Sequence, residues 1–339
     1  MEIGLETAAP PRRAAELARS FEALGFATLL MPDSQNLAPE TWQQLALAAQ
    51  ATTRIRLGPG VTNPLTRDVA VTAAAAATLQ VESGGRAVLG LGRGDSAVQR
   101  IGKRAMGLAD FETYVTRLQT YLAGGEVDRD GFASRIEWLR AVDAPKVPLE
   151  IAATGPKVIA LAGRHAERIG FAVGADPGHL GWALETARAA ARAAGRDPAT
   201  LRYGAFVNCV VHPDPTVARA GMRGTVATFA RFSSFAGAAL DHLPPILRAA
   251  AAAMRERYDM RDHTRVGAAH TAAIEDAFID WYGIAGPVGA VRERLERLRD
   301  LGLDFCHVVP GSVDTPRDVL RESLRLLGSE VLPAFRGDG

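Results

Sequence analysis

The chain has 339 residues, 47% of them hydrophobic, with 39 Lys and Arg against 38 Asp and Glu for a net charge of +1. That length supports one large core, and near neutrality argues against a nucleic-acid partner. Apolar runs break at Gly, Arg or Thr before reaching a membrane span, and no charged-then-apolar leader opens the chain, so a cytoplasmic protein with no membrane partner is expected.

Apolar strands are predicted, in chain order, at 3–5, 27–31, 55–57, 87–91, 149–153, 170–174, 203–211 and 305–309. Amphipathic helices fall between most of them. In 14–24, Leu17, Phe21 and Leu24 recur at helical spacing, and 67–83 ends at Gly84-Gly85. Eight alternating units point to a closed (β/α)8 barrel, an α/β fold, with an open doubly wound sheet as the competing arrangement.

Two interruptions stand out within one domain spanning 1–339. Residues 126–148 carry Asp130-Gly131-Phe132 between short alternating runs and read as a hairpin insertion after the fourth strand. Residues 213–286, after the seventh, form an Ala-rich helical insertion of the kind that covers a substrate site. Its Met222, Phe229, Phe232, Phe235 and Tyr258 read as packing. Cys209 and Cys306 lie in apolar runs and read as buried thiols. No metal site is expected. His212 and His307, in or near strands, are weak substrate-site candidates, whereas His165, His179, His242, His263 and His270 fall on helices or loops.

The candidate chemistry gathers where strands end. Leu57-Gly58-Pro59-Gly60-Val61-Thr62-Asn63-Pro64 and Leu91-Gly92-Arg93-Gly94-Asp95-Ser96 lose their side chains at strand termini, exposing backbone N–H groups to a flat, phosphate-bearing ligand. Thr62 and Asn63 offer polar groups there, or serve as turn residues ahead of Pro64. Thr154-Gly155-Pro156-Lys157 opens a helix whose N-terminus either meets an anion or is simply capped. Glu6, ending the first strand, is either an acid of raised pKa in an apolar mouth or the partner of an arginine. Asp33-Ser34 ends the second strand.

The run from Leu57 to Pro64, followed by Thr66-Arg67, Val71-Thr72-Ala73, Ala77-Thr78-Leu79, Gly84-Gly85-Arg86-Ala87 and Gly92-Arg93-Gly94-Asp95, resembles the methylenetetrahydromethanopterin reductase branch of the bacterial luciferase-like oxidoreductases. Gly4-Leu5-Glu6, Ala152-Ala153-Thr154-Gly155-Pro156 and Leu161-Ala162-Gly163 agree, so the likeness runs from residue 3 to residue 175. The resemblance implies the barrel and an enzyme using a reduced deazaflavin, coenzyme F-420, for hydride transfer with a small organic substrate. The alternative is an FMN-dependent monooxygenase of the same superfamily. It also implies a homodimer.

Carried onto this chain, the resemblance makes Gly60, Val61, Thr62, Asn63, Arg93, Gly94, Asp95, Ser96, Thr154, Gly155, Pro156 and Lys157 the cofactor contacts, with a non-proline cis peptide at Gly60-Val61. Arg93 is the luciferase choice and favours FMN, whereas Gly94-Asp95-Ser96 looks like the F-420 branch. Glu6, Asp33 and Ser34 become the catalytic candidates. Relatives usually carry histidine where Ser34 stands, and serine cannot hold charge as imidazolium does. Two other classes remain open: a phosphate-binding barrel isomerase or lyase, and a non-catalytic flavoprotein.

Overall fold

The structure, a computed structural model, describes residues 1–233, 248 and 256–336, so Phe235 and His242 lie outside the described residues. Its strands are β1 (Glu2–Glu6), β2 (Thr28–Met31), β3 (Arg56–Pro59), β4 (Leu89–Leu91), β5 (Val127–Arg129), β6 (Phe132–Ser134), β7 (Leu149–Ala153), β8 (Arg168–Phe171), β9 (Arg202–Val211), β10 (Ile284–Gly286) and β11 (Phe305–Val309). The parallel order is β3-β2-β1-β11-β9-β8-β7-β4. The ring closes between β4 and β3, where Val88 N donates to Leu57 O at 2.9 Å and Gly92 N to Thr62 O at 2.9 Å. Those bonds leave no open edge, and the doubly wound alternative falls. β5 and β6 form an antiparallel hairpin outside the ring, and β10 pairs with the end of β9.

Alternation along each strand sorts the side chains. Ile3, Leu5, Leu29, Met31, Leu57, Leu89, Ile151 and Ile169 face outward and join the helices in the main core. Leu30, Val88, Ala172 and Phe206 form a smaller cluster inside. The interior fills by setting nothing opposite something large. A Cβ at Gly204 would stand 2.2 Å from the Phe305 ring, and one at Gly170 would stand 2.6 Å from Phe206.

The sixth strand begins two residues earlier than the apolar pattern predicts, at Arg168, and ends at Phe171, so residues 172–174 are not strand. Arg168 is a strand residue because its charge is matched inside the barrel. Its Nε donates to Glu150 Oε2 at 2.8 Å, and its guanidinium lies 4.0 Å over the Phe305 ring. Hydropathy alone reads such a residue as surface.

In the insertion, the helices Pro215–Ser233 and Asp276–Tyr282 pack together on the end of β9, burying Val210, Met222, Val226, Phe278 and Tyr282. Phe229 touches both this cluster and the inner barrel cluster. The insertion therefore sits over the C-terminal end of the barrel, where (β/α)8 enzymes place their chemistry. Cys209 and Cys306 are buried free thiols. Among the described residues, no helix is long and apolar enough to cross a membrane.

Candidate active site

Glu6, the last residue of β1, turns into the barrel mouth beside Gly60. A Cβ at Gly60 would meet Leu30 Cβ at 2.6 Å and Glu6 Cγ at 3.2 Å, so the missing side chain is what admits the carboxyl. Glu6 Oε2 is buried without a hydrogen-bond partner, and no ion pair reaches it among the described residues. Burial alone pushes its pKa from 4.5 up to about 8. Among the described residues the arginine-partner alternative therefore falls. Near neutral pH Glu6 is a protonated acid with an O–H to give.

Asp33 and Ser34 follow β2 and behave differently from each other. Asp33 Oδ2 accepts from Thr62 Oγ1 at 2.7 Å and from Arg67 Nε at 3.2 Å, and Arg67 also pairs with Glu40. Asp33 thus fastens the β2 end to the β3 loop, and its carboxylate is engaged by partners within the protein. Ser34 Oγ is buried without a partner.

On the β3 side, the Gly60-Val61 peptide is cis. The Thr62 hydroxyl is engaged by Asp33, and Asn63 Oδ1 accepts from Leu65 N at 3.0 Å and Thr66 N at 3.1 Å. Asn63 therefore caps the turn that follows it, whereas Thr62 forms a parallel bridge with Leu91, and Asn63 Nδ2 is left buried and unpartnered. Past β4, Arg93 Nε donates to Met106 O at 2.7 Å, which fixes the side chain, and among the described residues its terminal nitrogens have no partner. Gly94 has φ +92 and Ser96 opens the short helix Ser96–Gln99. The Asp95 carboxylate, its pKa raised by burial, pairs with Arg231 of the insertion, which argues against a direct ligand contact.

After β7, the helix Pro156–His165 starts at Gly155 with no side-chain cap. A Cβ at Gly155 would have nothing within 4 Å, and Lys157 is exposed. Because β7, β4 and β3 are consecutive around the ring, the Gly60, Arg93 and Gly155 loops form one arc. Glu6 stands across β2 from that arc.

The sequence reading missed what the insertion brings. The Arg231 guanidinium lies 4.6 Å from the Tyr258 ring centroid and 5.0 Å from that of Phe232. Tyr258 OH is 2.6 Å from His263 Nδ1 and 3.0 Å from Thr228 Oγ1. Burial first, then Arg231 and Arg100, hold His263 down to about 3, so it is neutral. Phe232 and Tyr258 are thus more than packing. An arginine beside an aromatic in an Ala-rich helix was the available signal.

The two histidine candidates do not join the mouth. His212 is bonded locally to Asp214 N at 3.1 Å. His307 is enclosed in the barrel, with Nε2 2.9 Å from Glu150 Oε1. Burial opposes ionisation of Glu150, yet His307 and Arg168 together hold it at about 2. Among the described residues, no group of His, Cys, Asp and Glu is arranged to hold a metal ion.

The comparisons with known proteins agree with this frame. The chain is 28% identical to a 5,10-methylenetetrahydromethanopterin reductase from Methanolobus tindarius, over 98% of this chain and all of that one. Its fold is similar to that of a coenzyme F-420-dependent tetrahydromethanopterin reductase from Methanopyrus kandleri, with TM-score 0.78 and 24% identity over 99% of both chains. A similar fold is seen in an F-420-dependent secondary alcohol dehydrogenase, with TM-score 0.76 and 19% identity over 99% of both. The family model for luciferase-like monooxygenases matches residues 2–304, more than half of the sequence, and the chain belongs to the luciferase-like monooxygenase family.

Proposed function

We propose that this chain is an F-420-dependent oxidoreductase that reduces a small organic substrate carrying a C=O or C=N bond. The observation that carries the reading is Glu6, a half-buried residue whose Oε2 is buried without a partner, its pKa pushed up to about 8 beside Gly60. One sequence relative and two fold neighbours are named as F-420-dependent, which supports F-420, while other fold neighbours are FMN enzymes.

The residues present fit such a group. The free nitrogens of Arg93 and the uncapped start of helix Pro156–His165 suit a phosphate-bearing tail, and the arc at Gly60 and Val61 suits a flat ring. When bound, the reduced deazaflavin supplies hydride. Glu6 then supplies the matching proton. Its O–H donates to the substrate oxygen or nitrogen as the neighbouring carbon gains hydride, and the resulting carboxylate recovers a proton from solvent. Leu30, Val61 and Phe206 wall the mouth with apolar surface and exclude water. Ser34 takes no charge in this scheme.

We also read the chain as a cytoplasmic homodimer. Leu47, Val71 and Val81 stand exposed on the packed helices Thr41–Ala51 and Val69–Glu82, a surface suited to a second copy. A monomer mass by light scattering refutes the dimer.

The test of function is reoxidation of reduced F-420, followed by absorbance against a panel of ketones and imines. Glu6→Gln is expected to lower turnover by ~100-fold while F-420 affinity stays within about two-fold, the pattern of a group acting in the transition state. Full activity in Glu6→Gln refutes the assignment.

A further inference from the structure

Along β9, Phe206 joins the inner barrel cluster and Val210 joins the insertion cluster. Asn208 lies between them on the same face of the strand. It is fully buried, and neither its Oδ1 nor its Nδ2 has a hydrogen-bond partner. Buried amides are almost always paired, so two orphaned atoms on one side chain call for an explanation.

The register supplies a location. Asn208 pairs with Val309 of β11, and Leu5 of β1 pairs with Val308, which brings Asn208 level with Glu6 two strands away. At ~4.8 Å per strand spacing the two are roughly 10 Å apart around the ring. Both lie outside the arc of β3, β4 and β7 that carries the cofactor contacts. The cover over Asn208 is adaptable. A Cβ at Gly283 would stand 2.0 Å from Met222 Cε and 3.5 Å from Asn208 Cβ, so the end of a flexible methionine fills the space beside the amide.

We propose that Asn208 is the substrate-positioning residue of the mouth: its amide pairs with an uncharged hydrogen-bonding group of the substrate, which displaces the Met222 terminus. The proposal rests on the F-420 reading above. The apolar clusters on either side favour a neutral group over a charged one, because the strand neighbours Phe206 and Val210 and the buried residues of both clusters offer an ion no compensating charge.

The experiment titrates acetamide and acetate, a neutral and a charged probe of one shape, into the F-420-loaded chain by ligand-observed NMR. Wild type is expected to bind acetamide in preference to acetate. Asn208→Leu and Asn208→Ala should each weaken acetamide by at least about five-fold, the worth of one hydrogen bond, with F-420 affinity within about two-fold. Asn208→Leu should also raise Tm of the unliganded chain by about 2 °C, since it removes an unsatisfied polar group. Unchanged acetamide affinity in both variants, or loss of F-420 binding in them, overturns the proposal. A wild-type chain that binds no F-420 overturns the parent reading alone, because the acetamide comparison is then made on the unloaded chain.

Discussion

Replacing Glu6 by Gln keeps the shape of the side chain and removes its titration, so stability against pH isolates what burial does to this carboxyl. The folded-state pKa is raised, from 4.5 to about 8. Between those values the native chain holds a proton that the unfolded chain releases, so wild-type stability falls as pH rises through the window and levels off above 8. At 1.36 kcal/mol per unit, the full displacement corresponds to a ceiling of about 4–5 kcal/mol, and relaxation of the site toward water lowers it. Glu6→Gln lacks this loss. Urea unfolding at pH 5 should give the two proteins nearly equal stability, whereas at pH 9 the variant should be the more stable by about 2–4 kcal/mol. A difference that stays constant within about 0.5 kcal/mol between the two pH values refutes the buried-acid account.

Two further outcomes follow from the packing. Gly60→Ala places a methyl 2.6 Å from Leu30 Cβ and against Glu6, and should destabilise the chain by about 1–3 kcal/mol while weakening F-420, measured by thermal unfolding and fluorescence titration; an unperturbed variant contradicts the close approach. Arg168→Met leaves Glu150 buried with only His307 beside it and should cost about 3–5 kcal/mol in urea unfolding at pH 7. Because the Glu150 pKa is lowered from 4.5 to about 2, the wild-type stabilisation is full above 4.5 and disappears as pH falls toward 2. A loss below about 1 kcal/mol makes the network incidental.

The barrel was legible because its strands are apolar runs that alternate with helical stretches and its two Gly-rich ends mark where backbone meets ligand. Glu6 was legible as a strand-end carboxylate, but its protonation state depends on the absence of any partner, which only packing reveals. Asp33 reads in sequence as a catalytic candidate, yet Thr62 and Arg67 arrive from the next loop and engage it. Asp95 is likewise engaged from afar, since its partner Arg231 lies 136 positions away in the chain. Asn208 sits in the predicted strand 203–211 without a distinguishing signal, because one polar residue in an apolar run becomes informative only when its neighbours prove unable to bond it.

The most direct test of the account is equilibrium binding of F-420 and of FMN to the purified chain, each repeated with Arg93→Ala. F-420 should bind the more tightly, and Arg93→Ala should weaken it by about 1.5–3 kcal/mol, the loss expected for a hydrogen bond to a charged group. Preferential binding of FMN, or an F-420 affinity that Arg93→Ala leaves unchanged, contradicts the account.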